Sequence, residues 1–271
     1  MKAYLSLIRI DLKLAFRNRS VIFFNYLFPL MFFFIFAQMM GQVRPISYVV
    51  GMVLVLGILG NGLFGAGMRA VNEREQNILR RYKVAPITPT PLLVSSMVTG
   101  WVAFMPSAIL IFTIAHFRYK MTFPEHMMSL FGLISLGVIT FRSIGLIIAS
   151  VVNSMQEGNI LIQLLYMPML FLSGATLPIE ILPRWGQIAS RFLPASHLVT
   201  GFRGIFEENQ SLFQIWPSLL ALVATLTIAT FVATQLFRWE KEEKIRTSAK
   251  LWVLAALAPF LILGCYQIFH E

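Results

Sequence analysis

The sequence has 271 residues, 57% of them hydrophobic and 13% charged, with a mean hydropathy of +0.73 and a formal net charge of +10. A soluble domain of this size needs far more charge to cover its surface, so the composition excludes one and points to a chain solvated by acyl tails. With no soluble domain to bind nucleic acid, the basic balance is assigned to anionic headgroups and topology.

Residues 2–19 put Lys2, Arg9, Lys13 and Arg17 near one helical face and Leu5, Ile8, Leu12 and Ala15 on another, so 1–20 read as an amphipathic helix on the bilayer; a frayed basic tail is the other reading. The first apolar run is too long for a signal peptide and has no small-residue cleavage site after it. Apolar runs at 21–40, 46–68, 92–115, 128–152, 215–237 and 251–269 are each long enough to cross about 30 Å of hydrocarbon, and a shorter uncharged run at 160–177 makes a seventh span. Basic residues concentrate in alternate connections. Five lie in 1–20, five in 69–91 and five in 238–250, whereas the intervening connections hold only Arg44, then Arg118 and Lys120, then Arg184, Arg191 and Arg203. Basic loops stay inside, so the N-terminus is expected to be cytoplasmic and the C-terminus, beyond the seventh span, outward.

Between the second and third spans, "NEREQNILRRYKVAPITPTPLL" is a charged island. Asn72 and Glu75 have the spacing of a capping box, Pro86 stops the helix, and Ile78, Leu79 and Tyr82 form a narrow apolar seam. The segment 72–86 is thus either a solvated tether or a docking surface presented by Glu73, Arg74, Glu75, Arg80 and Arg81. Glu157, in the turn "NSMQEGN", lies on the same side and is either a second contact or a solvated turn residue.

Within the spans, Arg142 is the one charge at mid-depth. It must face an interface, a polar cavity or an anionic ligand, or be paired structurally with carbonyl, Asn and Gln groups. Gly51, Gly57, Gly60, Gly62, Gly65 and Gly67 crowd the second span, which suits close helix packing more than a ligand site. No span contains Asp or Glu, which weakens an ion-driven carrier. His116, His126, His197 and His270 are not at metal spacing, and Cys265 is alone. There is no Gly-x-x-x-x-Gly-Lys-Ser/Thr loop, paired carboxylates or nucleophile elbow, so the chain by itself is not expected to be an enzyme or to bind a cofactor.

The connection 173–212 is too long for a plain turn. Pro178, Pro183 and Pro194 divide it into short helices that lie in the interface or re-enter the membrane; an ordinary surface loop is the other reading.

Two blocks carry a family resemblance. The island resembles the first cytoplasmic loop of ABC-2 type permeases at Glu73, Arg74, Ile78, Leu79 and Pro86. The segment "LSGATLPIEILPRWGQIASRFLPASHLVTGFRGI" resembles that family's region between spans five and six at Ser173, Gly174, Pro178, Pro183, Leu193, Pro194, His197 and Arg203. The similarity covers roughly residues 1–240. It implies an all-α integral membrane protein with a core of six transmembrane helices over 21–237, an amphipathic helix before the first span and a coupling helix at 72–86. It also implies a second permease, homo- or heterodimeric, and separate ATP-binding-cassette ATPase subunits that carry the ATP and Mg. The basic linker 238–250 and the run 251–271 depart from the six-span pattern. A secondary or uncoupled carrier, and a scaffold that recruits a cytosolic protein without transport, are the competing functions.

Overall fold

The computed structural model describes residues 2–17, 22–83, 88–240, 243 and 258–265. Pro86, the basic run 244–250 and the ends of the 251–269 run fall outside them.

Helix α1, Lys2–Arg17, is amphipathic, but its packed face differs from the expected one. Leu7 and Ala15 are buried, whereas Leu5 is 65% exposed, because the face that carries Leu7, Asp11 and Ala15 meets the third span. Helix α2, Asn25–Met40, starts with a π-helical turn and is shorter than a full crossing. Among the described residues, four helices are long and apolar enough to cross a membrane: α3 Ile46–Glu75, α5 Pro89–Tyr119, α6 Met127–Val151 and, last in the bundle, Trp216–Gln235.

Helix α3 takes in the first residues of the expected island. The capping box at Asn72 does not form, because Asn72 lies inside a helix that ends, rather than begins, here. The chain reverses at Gln76 and Asn77, where Asn77 adopts φ 57°, a left-handed conformation Asn tolerates better than most residues. A short helix α4, Ile78–Lys83, follows and is anchored by Leu79, which is 4% exposed.

The lower half of α3, Gly60–Met68, is wound as a π-helix. Residues five apart are about 140° apart on an α-helix but roughly one turn apart when the bonds run from i to i+5. Gly62 and Gly67 therefore share a side, and both lie against α6. A Cβ on Gly62 would come within 2.5 Å of Phe141 Cβ, and one on Gly67 within 2.9 Å of the Gly145 carbonyl oxygen. From the facing helix, a Cβ on Gly145 would collide with the Gly62 carbonyl. Helix α6 is consequently the centre of the bundle, buried almost all round from Val138 to Val151.

Ser154 caps α7, Met155–Leu172, which is displaced toward the N-terminus from the expected 160–177. It stops at Ser173 and Gly174, where φ is 88°. The three prolines beyond each open a short element: Pro178 before a 3₁₀ turn at Ile179–Ile181, Pro183 before α8 Arg184–Ser190, and Pro194 at the first turn of α9 Pro194–Glu207. Proline fits there because a helix start needs no N–H from it. Helix α9 dips among the spans, where Leu198 meets Gly137 and Phe202 meets Gly51. Helix α10, Trp216–Gln235, returns along α6. Residues 258–265 are helical and lie beside α9, with Phe260 fully buried and its ring 5.3 Å from His197.

Around this core, large apolar side chains such as Met31, Phe34, Ile109, Phe131, Leu164 and Phe231 are exposed on several helices. That surface suits hydrocarbon, not water.

Candidate functional site

The island and the ends of three spans meet at the basic end of the bundle. Arg74 is 3% exposed and donates from Nη1 to the Ala149 carbonyl and from Nη2 to the Val152 carbonyl, both at 2.6 Å. Arg238, from the chain just past α10, approaches the same helix end from the other side. It donates to the carbonyls of Ser150 (3.1 Å), Glu243 (3.0 Å) and Val152, and to Asn153 Oδ1 (2.9 Å). Burial pulls the Arg238 guanidinium below the ordinary arginine pKa. The last carbonyls of a helix have no partner within it and carry its negative dipole end, so two guanidiniums there satisfy acceptors and oppose partial charge together. Glu75 completes the corner by accepting the Met155 N–H at 2.9 Å at the start of α7. Glu157 closes the adjoining turn: its carboxylate accepts the Asn153 N–H at 2.7 Å, and its own N–H donates to Ser154 Oγ.

Expected docking residues therefore divide. Glu73 is held by Arg69 at 2.7 Å, and Arg69 also meets Asp11 of α1 at 2.6 Å. Asp11 in turn accepts Ser95 Oγ at 2.7 Å, so α1 is tied to α3 and α5 by one carboxylate. Glu73, Arg74 and Glu75 thus have internal partners, and the buried Arg74 guanidinium has no free surface for a partner protein. Arg80 remains exposed, in a long ion pair with Glu240 at 3.9 Å. The Arg81 side chain lies outside the described residues. Asp11 and Arg238 went unremarked as site residues in the sequence, although Asp11 carries a signal: it is an acid at helical spacing with Leu7, Ile8 and Ala15.

At mid-depth, Arg142 is 3% exposed and laid across α5. Nη1 donates to the Asn61 carbonyl (3.1 Å) and Asn61 Oδ1 (2.9 Å), and Nη2 to Ser96 Oγ (3.0 Å). Gly100 is required beneath it, since a Cβ there would coincide with the guanidinium. Asn61 Nδ2 lies 3.4 Å from both Asn25 Oδ1 and the Gly100 carbonyl. All these partners are neutral.

At the opposite end Gly174 and Arg203 line one hollow, whereas Pro178, Pro183 and Pro194 only start short elements. Arg203 bridges Glu180 at 2.7 Å and Glu207 at 3.0 Å. A bond from its own backbone N–H and the Arg203 guanidinium hold the Glu180 carboxyl below the ordinary carboxylate range. His197 packs on Phe260, with Nε2 unbonded. Among the described residues no group of His, Cys, Asp and Glu is arranged to hold a metal.

A family model described as ABC-2 type transporter matches residues 2–206. The chain is 23% identical over 190 residues to the probable multidrug ABC transporter permease YbhR of Escherichia coli (strain K12), which covers 70% of this chain and 50% of that protein. It is 26% identical over 161 residues to the inner membrane transport permease YhhJ of the same strain, covering 58% and 42%. To the putative transport permease YvfS of Bacillus subtilis (strain 168) it is 21% identical over 242 residues, covering 87% and 96%. The chain thus spans about half the length of the first two relatives and nearly all of the third.

Proposed function

The chain belongs to the ABC-2 type transporter family, and from that premise we propose that it is the membrane-spanning permease subunit of an exporter driven by separate ATP-binding-cassette ATPases. A second permease completes the translocation path. ATP and Mg are held by the ATPase, in keeping with the lack of a nucleotide-binding loop in this sequence. The complex sits in the plasma membrane, the bacterial inner membrane, with the basic end in the cytosol and the C-terminus outside.

The observation that carries the reading is the junction at the basic end. Arg74 and Glu75, at the start of the island, are bonded to the end of α6 and the start of α7, and Arg238 bonds the chain after α10 to the same place. A push on α4 by an ATPase would reach three spans at once. Hydrogen-bond networks between rigid elements are one physical route by which such a movement is carried.

Arg80 and Arg81 reversed to Glu change the sign of the island while leaving Arg74, Glu75 and Arg238 in place. Like charges at a complementary interface cost several kcal/mol, on the order of a thousandfold in affinity. The ATPase is expected to be lost on co-purification, with insertion and folding retained. Wild-type recovery of the ATPase and of its hydrolysis would leave the island a tether.

A further inference from the structure

We propose that Arg142 is the headgroup contact of a site for an anionic amphiphile, a phosphate, sulfate or carboxylate on an apolar tail, entered through a window at Gly60 and Gly65. As the class of cargo this rests on the permease reading; as a binding site it does not.

Three observations converge. The guanidinium is buried and charged, yet every partner it has is neutral, and Nε has none. Neutral oxygens orient a cation without cancelling its charge, and the Asp11 carboxylate that acts on it from a distance makes no bond to it and is already paired with Arg69. Second, packing accounts for only half of the paired glycines of the π-helix. Gly62 and Gly67 are required by α6, whereas a Cβ on Gly60 would meet nothing within 4 Å. Gly65 is exposed, and its Cβ would stand 3.5 Å from Arg142 Nη1. The same winding that aligns Gly62 with Gly67 aligns Gly60 with Gly65, so the guanidinium lies behind a gap one side chain deep. Third, Gly100 holds the guanidinium from the back, where any other residue would drive it away.

A ligand reaching this window from the bilayer must be apolar along most of its length, and one that gains from Arg142 must end in an anion. Arginine matches such oxyanions with paired donors. π-helical segments also recur at functional sites.

The test uses the full chain in a neutral maltoside detergent. Dodecyl phosphate is the probe, dodecylphosphocholine the zwitterionic control and inorganic phosphate the head without the tail. Dodecyl phosphate is expected to raise the Tm saturably, with little effect from the other two. Gly65→Leu and Gly60→Leu should each melt as the wild type without ligand and bind dodecyl phosphate at least tenfold more weakly. If either variant fails to fold, the other carries the test. Equal stabilisation by dodecylphosphocholine, or wild-type affinity in the folded glycine variants, overturns the site. Equal stabilisation by inorganic phosphate makes the ligand a free anion and overturns the amphiphile. Binding without stimulation of ATP hydrolysis in the reconstituted complex makes it a resident-lipid site and overturns the cargo class. The permease reading fails separately: loss of it appears in ATPase docking, which the glycine variants should leave at wild-type level.

Discussion

Arg74 and Arg238 differ from Arg80 in what surrounds them, not in sequence context. Both reach the Val152 carbonyl, but Arg74 alone of the two bonds the Ala149 carbonyl and Arg238 alone the Ser150 carbonyl, so removing either strands one acceptor at about 1–3 kcal/mol. Arg238→Gln should therefore lower the Tm by several degrees, whereas Arg80→Glu, on an exposed side chain, should leave the stability within about 0.5 kcal/mol of wild type. Thermal melts of the two variants side by side make the comparison. Glu180 adds a pH dependence. Its carboxyl pKa is depressed in the folded chain, so the folded state holds the carboxylate more strongly than the unfolded state does. That contribution is fully present above the unfolded value of about 4.3 and is lost as pH falls through the lower folded value. Glu180→Gln is expected to melt slightly below wild type at pH 7 and to converge on it in acid. Both partners are largely exposed, so the difference is small. A difference that persists undiminished below pH 3 would assign the effect to packing.

At the scale of the element, the contact between α3 and α6 depends on glycine at crossing points. Gly145 faces the Gly62 carbonyl with no room for a Cβ, and backbone rather than a flexible side chain would have to yield. Gly145→Val is expected to separate the helices and cost more than the 1–3 kcal/mol typical of overpacking. Gly60→Ala has open space and should be neutral or stabilising by a few tenths, since Ala is the better helix former. Purification yield and Tm of the pair would decide whether the packing or the mere presence of glycine matters.

The whole molecule presents an apolar girdle with two polar ends, and its described helices leave one face with an unusual mixture. Along α7 the exposed positions include Ile160, Leu164, Met167 and Phe171 but also Asn159 and Gln163, which bond each other at 3.2 Å. Amides pairing among themselves is how such groups are tolerated against lipid or a second helix. The helix at 258–265 packs its Phe260 against His197 of α9 and its Gly264 against Phe192, so these eight residues are held to the bundle. A single cysteine placed after Glu271, in a chain whose Cys265 is replaced by Ser, should react with a membrane-impermeant thiol reagent from the outer face only. Labelling from the cytosolic face alone would make the run re-entrant.

Hydropathy and charge were sufficient for the class of the protein and for the position of the four long apolar helices, and periodicity for the helical, amphipathic character of α1 though not for its packed face, because solvation by lipid acts on each residue through its own transfer free energy. The breaks at Pro178, Pro183 and Pro194 were legible because backbone restrictions are local, whereas the earlier stop at Gly174 was not. What sequence could not decide was which charges are spent inside the fold. Glu73, Arg74 and Arg80 sit within eight residues of one another and read alike, yet the first is paired, the second is buried under carbonyls 75 and 78 positions away, and only the third is open. Likewise the glycines of the second span read as one packing stripe, and the π-winding divides them between a helix contact and an open window. Those assignments depend on distances between segments remote in the chain, and only the tertiary structure sets them.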